Sequence, residues 1–241
     1  MNIIIPLAGK DERFSPYNEI KPLIEIKGKP LIKHCTDSLP FFKERRKIYF
    51  IVLKEHDEQY HLKSRLEKLY GKEHDVSIFI QEGMREGAAS TVLQLKDTIN
   101  NEEPLVIYLA DIYFEAPLAQ SIASMKECIG LVPCFKSSNK KYSYLKLENP
   151  VDLKSKAIAV AEKTVISDNA SAGLYYFRKG KDFVWAAEEM IKKNRRVNNM
   201  FYICPVYQEF VERGDIVKII PSIFKFGLGS PEEVEEFRRG N

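Results

Sequence analysis

Apolar positions in the first half of the chain alternate between short continuous runs and longer stretches in which they recur at helical spacing. Residues 2–7 form an Ile-rich run that suits a strand covered on both faces, as in a parallel sheet. The chain then turns at Gly9. Pro30 is placed to open a helix over 30–39, because a missing amide hydrogen costs nothing at a first helical position. Residues 48–53 read as the second strand. Over 57–70, Tyr60, Leu62, Leu66, Leu69 and Tyr70 recur among charges, which predicts one amphipathic surface helix. A strand at 76–80, a helix at 87–96 and a strand at 105–109 running into Asp111 complete this half. Strand and helix in such alternation predict a doubly wound α/β fold of Rossmann-like form.

Beyond Asp111 the pattern changes to short strands at 129–134, 142–147, 157–161 and 172–177, with helices at 181–193 and 205–213. No Gly/Ser/Pro-rich linker and no internal repeat separates the halves. The reading is therefore one mixed unit over 1–241, with a mostly parallel sheet flanked by helices and functional halves at 1–115 and 116–241.

Composition narrows the function classes. With 37 basic and 34 acidic residues, the net charge of +3 is too balanced for the electrostatic footprint of a nucleic-acid or anionic-lipid partner. Any phosphate chemistry must rest on local charge. Cys35, Cys128, Cys134 and Cys204 are scattered without metal-ligand spacing in apolar surroundings, which predicts buried thiols. The apolar start is short and runs at once into Lys10-Asp11-Glu12-Arg13, so it reads as a buried strand and points to the cytoplasm. No apolar run approaches the roughly 18 residues of a membrane span. Self-association as a homo-oligomer is left open.

In an open parallel sheet, ligands bind beyond the carboxyl ends of the strands, which directs attention to the loops after the first, third and fourth strands. After the first comes Leu7-Ala8-Gly9-Lys10-Asp11-Glu12-Arg13-Phe14. A glycine lets backbone amides approach a phosphate, and an arginine offers its oxygens a planar charged fork. Further on lie Lys21-Pro22-Leu23-Ile24 and Gly28-Lys29-Pro30-Leu31-Ile32, where a lysine stiffened by proline could set a point charge on a triphosphate. Separately, a glycine after a strand is an ordinary turn and Lys21 an ordinary solvated lysine; Arg13 and Lys21 together give the pattern its weight.

This N-terminal segment resembles the signature of the sugar-phosphate nucleotidyltransferases, and the whole chain can be laid along that family, in particular its branch for capsular and surface polysaccharide biosynthesis. The resemblance implies the nucleotide-diphospho-sugar transferase fold, a nucleoside triphosphate and a phosphorylated small-molecule acceptor as partners, and Mg²⁺ as cofactor. It implies Arg13 and Lys21 as catalytic residues and Leu7, Ala8 and Gly9 as nucleotide contacts. Ile80-Gln81-Glu82 with Glu86-Gly87-Ala88-Ala89 resembles the region where a glutamine reads the base edge, which makes Gln81, Gly87 and Ala88 nucleotide-binding. A side-chain amide carries both the donor and the acceptor a base edge requires. Leu109-Ala110-Asp111 resembles the strand-terminal aspartate that holds Mg²⁺, a hard oxygen ligand for a cation that keeps several waters; an acidic residue there could instead cap a helix. Ala161-Glu162-Lys163 resembles the pair that contacts the sugar and its phosphate, and Gly173 follows at the family spacing beside it. Tyr175, Tyr176 and Phe177 then read as core at strand spacing. Gly229-Ser230-Pro231-Glu232-Glu233 resembles the start of the last helix, with Ser230 as cap.

Two departures from the family pattern stand out. Asp11 replaces the usual second glycine of the first loop, and Gly227 replaces a second metal-binding aspartate, for which Asp11, Glu12 or Asp168 are candidate substitutes. The implied reaction is attack of an acceptor phosphate oxygen on the α-phosphorus of a nucleoside triphosphate, with pyrophosphate leaving. A glycosyltransferase and an inactive nucleotide-binding regulator are the alternative readings. A sugar 1-phosphate, phosphocholine, a phosphonate or an alditol phosphate all remain open as acceptor, and the base is equally open.

Overall fold

A computed structural model describes residues 1–240; Asn241, the last residue of the expected 1–241 unit, lies outside them. Strand β1 (Asn2–Leu7) is followed by the short pair β2 (Glu25–Ile26) and β3 (Lys29–Pro30), helix α1 (Leu31–Asp37) and β4 (Lys47–Leu53). Helices α2 (Lys54–Tyr60) and α3 (Leu62–Tyr70), β5 (Asp75–Gln81), α4 (Ala88–Val92), α5 (Lys96–Ile99), β6 (Leu105–Tyr108), β7 (Ile112–Glu115) and α6 (Leu118–Ser124) come next. The second half holds β8 (Gly130–Lys136), β9 (Ser143–Leu147), β10 (Ala157–Glu162), β11 (Asn169–Ser171), β12 (Leu174–Phe177), α7 (Gly180–Lys192), α8 (Val206–Arg213), β13 (Val217–Pro221), β14 (Ile223–Gly227) and α9 (Pro231–Arg239).

Ten of these strands build one central sheet in the order β10-β9-β11-β8-β12-β6-β1-β4-β5, with β13 parallel to β8 off this path, while β2 pairs with β3 and β7 with β14. The run β6-β1-β4-β5 is parallel, and β12 joins it antiparallel to β6. More paired residues sit in parallel than in antiparallel ladders, so the mixed, mostly parallel sheet flanked by helices is as expected. The Ile-rich run explains itself: Ile3 and Ile5 pack into one apolar cluster and Ile4 into the other, so both faces of β1 are covered. Tyr175, Tyr176 and Phe177 are buried as expected, and so are all four cysteines, each a free thiol.

Three elements depart from the sequence reading. The helix expected over 57–70 is two helices, broken at His61, which takes a left-handed φ of 52°. Helix α2 buries no residue, whereas α3 buries Leu62, Leu66 and Tyr70, so only the second half of the pattern has a core to face. The helix expected over 87–96 is α4, a 3-10 turn at Leu93–Leu95 and α5. The pairing of β7 with β14 has no precursor in the sequence reading; it joins residues more than 100 positions apart and brings the 227–229 segment beside Asp111. Among the described residues, no helix is long and apolar enough to cross a membrane.

Candidate active site

A cleft of about 1130 Å³ opens at the carboxyl ends of β1, β5 and β6. Leu7, Ala8, Gly9 and Arg13 enter it from the loop after β1, Lys21 from the following segment, and Gly87 and Ala88 from the start of α4. Asp111 comes from the loop after β6, Glu162 from the end of β10, Lys163 from the residue after it, and Gly173 from the turn before β12. Every residue expected to be catalytic, nucleotide-binding, acceptor-binding or the first metal ligand therefore lines one cavity, with one exception. Gln81, expected to read a base edge, is fully buried and does not line the cleft. Its Nε2 donates to the Gly83 carbonyl at 2.8 Å and its Oε1 accepts from Gln94, so both ends of the amide hold the 81–94 loop together.

Asp111 follows Ala110, which adopts φ 53°, a left-handed conformation that a non-glycine residue takes only when its surroundings impose it. The Asp111 carbonyl accepts from the Leu228 amide at 2.8 Å, which ties the strand end to the segment after β14. Among the described residues no donor pairs with the Asp111 carboxylate. A Cβ on Gly173 would lie 3.3 Å from its Oδ1 and one on Gly229 3.8 Å from its Oδ2, so two glycines keep its flanks open. A half-buried hard-oxygen donor flanked by two glycines suits Mg²⁺, which keeps most of its waters and takes one or two carboxylates. Of the candidate substitutes for the second aspartate, Asp168 pairs with Lys136 at 2.8 Å and is not part of the cleft wall. Asp11 is spent on Arg13. The space a side chain at Gly227 would fill is taken by the Glu233 carboxylate, which also accepts from the Gly229 and Ser230 amides at 2.9 and 3.1 Å as half of the capping box of α9.

The cations differ in their partners. Arg13 donates through Nε and Nη2 to the two Asp11 oxygens, 2.7 Å each, and through Nη2 to the Gly229 carbonyl at 3.0 Å. Burial by itself would raise the Asp11 carboxyl, but the Arg13 hydrogen bond, the Arg13 charge and the field of Lys21 outweigh it and hold the group below its ordinary value. Lys141 pairs with Glu233 across the cleft. Lys163, at φ 55°, donates to the Tyr202 hydroxyl at 2.6 Å with its ammonium 4.7 Å from the ring centroid. Lys21 has no hydrogen-bond or ion-pair partner among the described residues and lies 5.7 Å from the Phe14 ring centroid. Glu162 is buried, accepts a hydrogen bond from the Ser143 hydroxyl, and is pushed above its ordinary value by burial.

Lys141 and Tyr202 were not legible in the sequence. Neither sits in a motif, and both matter only because the fold brings them to Glu233 and Lys163. Tyr202 belongs to a segment stitched to the loop before α4: the Phe201 amide donates to the Glu86 carbonyl at 2.7 Å, and the Ala89 amide to the Phe201 carbonyl at 3.0 Å.

Comparison with known proteins gives the family and the fold. Residues 3–215 match the family model described as nucleotidyl transferase. The bifunctional protein GlmU of Methanocaldococcus jannaschii is 33% identical over 124 residues, which cover 50% of this chain and 27% of that protein. The UTP–glucose-1-phosphate uridylyltransferase AglF of Haloferax volcanii is 25% identical over 136 residues, 53% of this chain and 50% of that one. The matches thus span half or less of these relatives. Among solved structures, a nucleoside-diphosphate-sugar pyrophosphorylase from Vibrio cholerae superimposes with a TM-score of 0.80 at 24% identity over the whole of both chains. A UDP-glucose pyrophosphorylase in complex with UDP-glucose gives 0.76 at 19% identity, covering 98% of this chain and 96% of the other.

Proposed function

Because the chain belongs to the nucleotidyl transferase family, we propose that it couples a nucleoside triphosphate to a sugar 1-phosphate or a similar phosphorylated small molecule, giving a nucleotide-linked product and pyrophosphate. The single observation that carries this reading is convergence: Arg13, Lys21, Asp111 and Lys163, far apart in sequence, line one cleft at the carboxyl edge of the parallel strands. The uridylyltransferase activity named for one relative and the pyrophosphorylases among the structural neighbours support the same reaction class.

The chemistry asks little of the protein beyond position and charge. The acceptor phosphate is already an anion, so no general base is required, and the task is to bring two anions into line. Lys21 and Arg13 spread positive charge over the triphosphate, and backbone around Gly9 and Gly87 lets it approach. Lys163, oriented by Tyr202, holds the acceptor phosphate, while Glu162 and Gly173 face the rest of the acceptor. Asp111 would hold Mg²⁺, which when bound supplies further neutralisation of the triphosphate oxygens. The product class fits capsular or surface polysaccharide synthesis as its use. Incubation of the purified chain with each common nucleoside triphosphate, Mg²⁺ and a panel of sugar phosphates, scored by pyrophosphate release, tests the proposal. Release that depends on one acceptor is expected; triphosphate binding without release from any acceptor would refute it.

A further inference from the structure

Asp11 occupies a loop position where a carboxylate works against the anionic ligand the cleft is proposed to take, and its geometry gives it a use. The Arg13 guanidinium presents its Nε and Nη2 hydrogens side by side, the edge with which arginine grips two oxygens of a phosphate. In the structure that edge is filled by the two oxygens of Asp11, and the remaining Nη2 hydrogen by the Gly229 carbonyl. Asp11 is tethered two residues away, so the pair forms without any distant assembly. The Asp11 side chain is the more enclosed partner at 25% exposure, whereas Arg13 is 62% exposed. The arginine is thus the more accessible member, the one a ligand in the cleft can reach.

We propose that Asp11 is a built-in competitor for Arg13: a carboxylate that mimics a phosphate, yields the guanidinium to a bound polyphosphate, and takes it back as pyrophosphate departs. This rests on the nucleotidyl-transfer reading of the same cleft. Each polyphosphate that uses Arg13 must first break two charge-assisted hydrogen bonds, so its ground-state affinity is lowered. Re-formation of the pair offsets part of the cost of releasing pyrophosphate. An alternative role, in which Asp11 merely orients Arg13 toward the ligand, predicts the opposite sign on removing the carboxylate.

Isothermal titration of the full chain with inorganic tripolyphosphate separates these. The set is wild type, Asp11→Asn, Asp11→Gly, Arg13→Ala and the double variant D11N/R13A, each first checked for an unchanged thermal midpoint. Asp11→Asn is expected to bind roughly threefold or more tightly, the scale of losing one well-aligned, partly exposed ion pair. Asp11→Gly should behave alike if one of the two proves unstable. The gain should vanish in D11N/R13A relative to Arg13→Ala, because the competition acts through that guanidinium alone. Unchanged or weaker binding by Asp11→Asn overturns the inference while leaving the proposed reaction standing, and so does a gain that survives without Arg13. No binding of tripolyphosphate by any form overturns the proposed reaction, and the inference with it.

Discussion

Four cations that line the cleft, Arg13, Lys21, Lys141 and Lys163, are not equivalent, and the difference lies in what each already holds. Arg13 is engaged by Asp11, Lys141 by Glu233 and Lys163 by Tyr202, whereas Lys21 has no polar partner among the described residues. Under the proposed reaction Lys21 can place its whole charge on the triphosphate with no contact to give up, and Asp111 stands equally ready for a cation. We expect Lys21→Ala and Asp111→Ala each to lower kcat by at least about a hundredfold, the scale of removing one preorganised charge-stabilising group; initial rates of pyrophosphate release at saturating substrates measure it. Near wild-type turnover in either variant would remove that residue from the mechanism. That Lys21 and Asp111 line the cleft was legible in the sequence, Asp111 from its place just past a buried strand and Lys21 from its proline-stiffened position after the first loop. Gln81 shows the converse: an amide that could read a base can also bind two loop atoms, and the fold buries it against Gly83 and Gln94.

At the scale of elements, the cleft is held by contacts between segments that the hydrophobic pattern does not connect. Gly87 shows the principle. Its φ of 98° is a backbone conformation side chains avoid, and a Cβ there would come within 2.5 Å of the Phe201 carbonyl oxygen and 2.7 Å of its nitrogen. Both atoms belong to the backbone that hydrogen-bonds with Glu86 and Ala89, so neither can move without breaking the stitch. Gly87→Ala is therefore expected to destabilise the chain by about 1–3 kcal/mol, read from the urea midpoint. Since Tyr202 is the next residue along, the same change should raise the KM for the acceptor through Lys163. An unaltered midpoint with both KM values unchanged would mean that the strap is slack. Strands β1, β4 and β6 of the parallel half were legible because each buries both faces and so keeps an apolar run. Strands β7 and β14 were not, because each is a brief pairing with a partner across the chain, and periodicity reports only what a segment does with its own neighbours.

For the whole molecule, one sheet carries both sides of the cleft, which the proposed reaction assigns to the triphosphate at β1 and β5 and to the acceptor at β10 and the turn before β12. A ligand that touches both sides is bound by the native arrangement alone, so it must raise the unfolding free energy of the chain. At 100 times its Kd it adds roughly 2.7 kcal/mol. For a chain of this length each kcal/mol is worth about 2–4 °C, so the accepted triphosphate with Mg²⁺ should lift the thermal midpoint by roughly 5–10 °C. Run across the common triphosphates, the largest shift names the base. The metal enters as a difference. If the open carboxylate in its glycine cradle holds Mg²⁺, replacing Mg²⁺ by EDTA should remove most of the lift in wild type and change little in Asp111→Ala, whose lift is already reduced. Equal shifts with Mg²⁺ and with EDTA in the wild-type chain would take the metal away from Asp111 and leave the triphosphate to the lysine and arginine alone.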